Sequence, residues 1–230
     1  MNQKTRMKEH QATKVSLQLV LSLALMALVG CASQGYQKGS DTAARLSATG
    51  DQIAAGKGKI DAALAALNGL VNNPQGDLVP KYVQFTTALS DLQTTANHMN
   101  TGMTNLSRGA NAYFKTWDEK LAQIKNDELR KSSSDRKATV QKQFADLQTS
   151  YAQYETALKP FLADLKDIQT ALGADLTLGG ISAVKVAADR VNQKADPLKV
   201  SVDQLTKACK DLGSTMATSG PPPAPAATGS

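Results

Sequence analysis

Few side chains in this 230-residue chain are of the kinds that perform covalent chemistry, and they stand apart from one another. There are two cysteines, Cys31 and Cys209, and two histidines, His10 and His98. A thiol that acts as a nucleophile needs a neighbouring base, and a thiol that holds zinc needs further ligands. Neither cysteine has a histidine or a second cysteine at ligand spacing, so the usual zinc sites and histidine-based triads are excluded. His98 reads as a helix-face residue. Asp118-Glu119 and Asp127-Glu128 are acidic pairs, but Lys120, Lys125 and Lys131 surround them. Ion pairing at i,i+3 or i,i+4 on a solvated helix accounts for such clusters. No catalytic residue, no metal site and no cofactor is expected.

The chemistry that remains lies around Cys31. Lys4, Arg6, Lys8 and Lys14 precede the uncharged run from Val15 to Val29. A basic start, a short apolar run and small residues at its end form the layout of a secretory signal peptide. Fifteen residues are short for a span, which needs about 20. Leu28-Val29-Gly30-Cys31 then resembles the bacterial lipobox. That resemblance implies diacylglycerol on the Cys31 sulfur, cleavage between Gly30 and Cys31, and acylation of the new amino group. More than one chain matters, because one acyl chain, at about 0.8 kcal/mol per buried CH₂, anchors only marginally. A plain signal peptide or an uncleaved anchor is the alternative. Ala32, rather than Asp, follows the cysteine. By resemblance to Gram-negative sorting, this points to the outer membrane, facing the periplasm.

The formal charge of +6 shrinks once the leader is set aside. Four of the 26 bases and one of the 20 acids lie in residues 1–30, which leaves +3. The remaining charges are interspersed, so nucleic acid is not an expected partner. With lipid on Cys31, Cys209 has no intramolecular partner, and no disulfide framework is expected.

The elements that carry these residues read as helices throughout. Residues 32–40 form a polar tether. A first helical stretch, Asp41 to Asn72, repeats Leu46, Ile53, Ile60 and Leu67 every seven residues. Gly50, Gly56, Gly58 and Gly69 weaken it or let another helix come close. Asn72 to Gly76 is a stop and turn. A second stretch from about Asp77 sustains a 3-4 alternation from Tyr82 and Phe85 through Met99 and Leu106 to Tyr113 and Trp117, with Leu121 and Ile124 after a stutter. Arg130 to Asp135 supplies the next turn. The third stretch runs from Val140 through Phe144, Leu147, Tyr151 and Tyr154 to Leu172. Folded back about position 132, it sets Tyr113 against Tyr151 and Trp117 against Leu147.

Gly173 to Gly180 connects to a fourth stretch, with Gly173 as C-cap. That stretch carries Ile181 to Leu212 and puts Cys209 on its seam, where a thiol packs as a small hydrophobe. Pro160 kinks the third stretch, and Pro197 bends or restarts the fourth. The last eighteen residues are Pro- and Ala-rich and lack an apolar period. The expected organisation is a signal peptide over 1–30, lipidated Cys31 and tether over 31–40, a helical domain over 41–212 and a disordered tail over 213–230. The fold class is all-α: an elongated antiparallel, coiled-coil-like bundle of three to four long helices.

Tyr113-Phe114, Trp117-Asp118-Glu119-Lys120-Leu121, Ile124, Leu129-Arg130, Leu165-x-x-Ile168 and Asp175-Leu176-Thr177 resemble an uncharacterised bacterial family. Its members are secreted helical proteins, many of them lipoproteins, grouped as a domain of unknown function. The resemblance implies a fold and no activity. Gly50, Gly56 and Lys57 only faintly resemble a phosphate loop: the glycine spacing is one residue too long, and Gly58 stands where Ser or Thr is needed. Asn105-Leu106-Ser107 matches a glycosylation triplet by chance within a seam. The functional expectation is a lipid-anchored spacer, scaffold or adaptor that is not an enzyme and works through a protein partner or self-association. One alternative is a module holding an apolar lipid between helices, motivated by the glycines and Pro197. The other is a scaffold that self-assembles on the membrane.

Overall fold

The computed structural model describes the backbone of residues 3–217 and the side chains of residues 37–217. Four helices follow one another: α1 Gln3–Val71, α2 Leu78–Leu121, α3 Asp127–Ala174 and α4 Leu178–Ala217. No strand occurs among the described residues. The fold is an all-α bundle of antiparallel neighbours. At 1.5 Å per residue the 44 residues of α2 span about 66 Å. The side chains of Gly30 and Cys31, and the tail 218–230, lie outside what is described.

Each helix buries the stripe that its 3-4 pattern marks. Phe85, Leu89, Leu92, Met99, Met103, Leu106 and Ala110 are buried on α2, and Val140 to Leu172 on α3. On α4, Ile181, Val184, Ala188, Val191, Ala195, Leu198, Val202, Leu205, Cys209 and Leu212 are all buried. The packed body is longer than 41–212. Gly39 is buried against Tyr113, and Gly213 and Met216 are buried at the far end of α4. Residues 32–40, expected as a tether, are helical within α1 and packed by Gly39, and the expected tail starts no earlier than residue 218. The reason is steric: glycines at 39 and 213 read as loop in isolation, yet they are where neighbouring helices come close.

Helix ends follow cap chemistry. Asp77 accepts from the Val79 N–H at 3.0 Å and starts α2. Gly76 before it has φ +74°, a conformation that a Cβ disfavours. Asn126 accepts from the Leu129 N–H at 3.0 Å and starts α3, with Asp127 and Glu128 in the positive first turn. The turn between α2 and α3 is thus at 122–126, and not at Arg130 to Asp135, which are helical. Gly173 is not a C-cap either: α3 ends at Ala174, with Asp175 as its cap. Pro160 and Pro197 are exposed and lie inside unbroken helices. On that face the carbonyl each leaves without a donor can be hydrated. No new helix starts at Pro197.

The turn position changes the register of α2 on α3. Trp117 meets Ser133, Asp118 meets Lys137, Ser107 meets Gln148, Met99 meets Tyr154 and Tyr82 meets Gln169. Position numbers that meet sum to 250–255, against 264 for the expected pairs. Tyr113 therefore does not face Tyr151, nor Trp117 Leu147. The shift is about ten residues, close to three 3.5-residue turns of the seam. A periodic stripe matches a periodic stripe in every such register, so coincidence of seams cannot choose among them; the cap does.

α1 packs extensively on both α2 and α4, and α3 on α4, whereas α2 and α3 touch most sparsely. Side-chain size explains this. Gly39, Gly50 and Ala43 let the partners of α1 close in, while Phe114 and Phe144 stand edge to face between α2 and α3 at 6.2 Å. Asn68 and Asn192 exchange two 2.9 Å hydrogen bonds and pin α1 to α4. Asp164 on α3 holds Lys194 of α4 at 2.7 Å and Arg190 at 3.4 Å.

Candidate functional site

Most residues with latent reactivity are engaged in packing. Cys209 is fully buried and faces Gly50 of α1. Burial pushes its thiol up to about 12, because a thiolate there would lose its hydration. Among the aromatics, Tyr113 and Trp117 are half-buried with ring centroids 5.3 Å apart, and the Trp117 Nε1–H donates to Ser133 Oγ at 2.9 Å. Tyr151 is half-buried and packs on Tyr154 at 6.1 Å. Desolvation raises the hydroxyl of each of Tyr113, Tyr151 and Tyr154 above its ordinary value. Leu147 is completely buried.

One member of each acidic pair is engaged on the surface. Asp118 pairs with Lys137 at 2.5 Å, and Asp127 pairs with Arg130 on its own helix. His98 is exposed on α2. Lys57 lies in mid-helix and binds Asp203 at 2.6 Å. Among the described residues, no three His, Cys, Asp or Glu side chains come together as a metal site.

One place is built differently. A groove of about 350 Å³ runs between the start of the packed part of α1 and the second half of α2. α1 contributes Lys38, Asp41, Thr42 and Arg45, and α2 contributes Asn105, Arg108, Gly109 and Ala112. Both sets have the spacing i, i+3, i+4, i+7, which lines one face of a helix. The floor is made by small and satisfied groups. Thr42 is buried, and its hydroxyl donates to the Lys38 carbonyl at 2.6 Å. Gly109 leaves the wall open: a Cβ there would stand 3.9 Å from Arg45 Cδ. The Lys38 ammonium donates to Thr116 Oγ1 at 2.9 Å, and Thr116 in turn donates to the Ala112 carbonyl at 3.0 Å. Arg108 donates to Asn105 Oδ1 at 3.1 Å.

A model of one protein family, described as a protein of unknown function (DUF2959), matches residues 30–215. The chain belongs to that family. The DUF2959 match begins one residue before Cys31 and runs through all four packed helices, so the seams and the groove both fall inside it. No curated protein and no solved structure matches the chain. DUF2959 membership agrees with the resemblance as far as a domain of unknown function goes, and it brings no activity with it.

Sequence reasoning missed the groove. Its signal was present on each helix, as Lys38-Asp41-Arg45 and Asn105-Arg108-Ala112 at helical spacing. What brings the two sets together is the register of α1 on α2. The seam also left out Phe114 and Thr116, which are buried because α1 and α3 both reach that end of α2.

Proposed function

We propose that the protein is a lipid-anchored, non-enzymatic helical spacer or adaptor at the cell envelope of a Gram-negative bacterium. Cys31 carries the lipid and the bundle stands off the membrane surface, facing the periplasm. The observation that carries this reading is Leu28-Val29-Gly30-Cys31 at the end of an uncharged run, with the family match starting at residue 30, beside the expected cut. A match that starts there leaves residues 1–29 outside it, which supports reading them as a removable address. The helix is already packed at Gly39, eight residues after Cys31, so the body has little slack. The non-enzymatic part is supported by the use of Cys209 and the tyrosines in packing and of Asp118 and Asp127 in ion pairing. The apolar-ligand alternative is less favoured: Gly50 and Gly56 are filled by Cys209 and Met99, and α4 passes unbroken through Pro197.

Mass spectrometry of the N-terminal peptide from envelope fractions tests the anchor. The expected peptide starts at Cys31 with added diacylglycerol and acyl mass, and Cys31→Ala leaves an uncut, unlipidated chain. A mature form that starts elsewhere without fatty mass would overturn the reading. Turnover of a metabolite by the purified protein would overturn its non-enzymatic part.

A further inference from the structure

We propose that the groove between α1 and α2 binds a phosphate group carried on a hydroxylated headgroup. Its charge sets it apart from the rest of α1. The other described cations of this helix, Lys57 and Lys59, reach Asp203 and Asp91 on neighbouring helices at 2.6 and 2.8 Å. Its other described acids, Asp51 and Asp61, pair with Lys210 and Lys199 at 3.5 and 3.2 Å. Lys38 and Arg45 pair with no carboxylate among the described residues, and neither does Arg108 across the groove. Three cations thus face one acid, Asp41, across a space large enough for a small headgroup.

The donor set fits this chemistry. Arg45 and Arg108 present planar forks from opposite walls, which suits an anion with several oxygens. A phosphate monoester carries about −1.5 to −2 at neutral pH and balances the groove's surplus of two positive charges, while a lipid phosphodiester, with a single charge, offsets half of it. Asp41 has no partner among the described residues and accepts hydrogen bonds only, and Asn105 offers an amide beside Arg108. Those groups suit hydroxyls next to the phosphate and disfavour a bare polyanion.

The position of the groove names a source. Lys38 lies seven residues beyond Cys31, at most about 25 Å away even in an extended chain. If Cys31 is anchored as proposed above, the groove is within reach of the headgroup layer. The phosphate chemistry stands on the groove alone; only the lipid source rests on the anchor.

The test uses the full chain in vesicles of phosphatidylcholine, titrated calorimetrically with inorganic phosphate and with glycerol 3-phosphate at low salt. Glycerol 3-phosphate is expected to bind more tightly than inorganic phosphate, and R45Q/R108Q to weaken it about ten-fold or more. K166Q/K185Q, which removes two exposed cations elsewhere, is expected to leave binding unchanged. Vesicles containing phosphatidylglycerol then separate the sources. If they abolish the glycerol 3-phosphate signal, the headgroup occupies the groove; if they do not, a free phosphorylated compound is the ligand. The proposal is overturned if neither phosphate probe binds. It is equally overturned if R45Q/R108Q, still fully helical by circular dichroism, binds as the parent does, or if K166Q/K185Q loses as much.

Discussion

Gly50 and Gly58 lie eight residues apart on one helix and test why α1 is glycine-rich. Replacing either by alanine in mid-helix contributes about 1 kcal/mol of helix propensity. At Gly58 nothing lies within 4 Å of the new Cβ, so Gly58→Ala is expected to stabilise by about that amount. At Gly50 the new Cβ would stand 3.2 Å from Cys209 Cβ. Both atoms are tied to helix backbones, and the contact is several tenths of an ångström inside the optimum of about 3.5–4.0 Å. The helices must then part, and overpacking of this kind costs about 1–3 kcal/mol. Gly50→Ala is therefore expected to destabilise by about 0–2 kcal/mol net, and the two variants to differ by about 1–3 kcal/mol. Gly56→Ala falls between them, because its neighbour at 3.3 Å is the flexible Met99 sulfur. Urea unfolding followed by circular dichroism reads all three. Equal stabilisation at positions 50 and 58 would refute the close-packing account of α1.

Other expectations follow from single contacts. A Cβ at Gly173 would stand 2.8 Å from the Tyr82 hydroxyl, which donates to the Gln169 carbonyl at 3.1 Å. Gly173→Ala should change stability little in the parent but stabilise Tyr82→Phe by about 0.5–1 kcal/mol, measured as a double-mutant cycle; a loss in both backgrounds would return Gly173 to a capping role. The Cys209 thiol is raised from 9.0 to about 12, so the unfolded chain loses this proton first. Its contribution is complete below about pH 9 and is lost as pH rises towards about 12, by at most about 1.4 kcal/mol per unit. Cys209→Ala should remove the decline between about pH 9 and 10 in denaturant midpoints, leaving the later one from Tyr113, Tyr151 and Tyr154, whose hydroxyls burial raises. Ser133→Ala takes the acceptor from the Trp117 N–H, at a cost of about 1 kcal/mol with a shift in tryptophan emission; unchanged emission and midpoint would dispute the register of α2 on α3.

The sequence by itself determined that the packed body is all-helical, which face of α2, α3 and α4 is buried, and that Cys209 sits in a seam. These are local properties: a helix repeats every 3.6 residues, so one stripe of apolar side chains names both the element and its inner face. The tertiary structure decided what periodicity leaves degenerate. The seams of α2 and α3 match in registers one turn apart, and the Asn126 cap, not the serines at 132–134, selected one of them. Small residues are ambiguous in the same way. Gly39, Gly173 and Gly213 look like breaks in a string of letters, Gly50 reads as a weak point or a close approach, and only the neighbouring helix shows all four to be contacts. The groove belongs to that second class. Lys38 and Arg45 on one helix and Arg108 on another are ordinary surface charges until the register of α1 on α2 sets them across a common space, because a charge's partners are a property of distance and not of sequence.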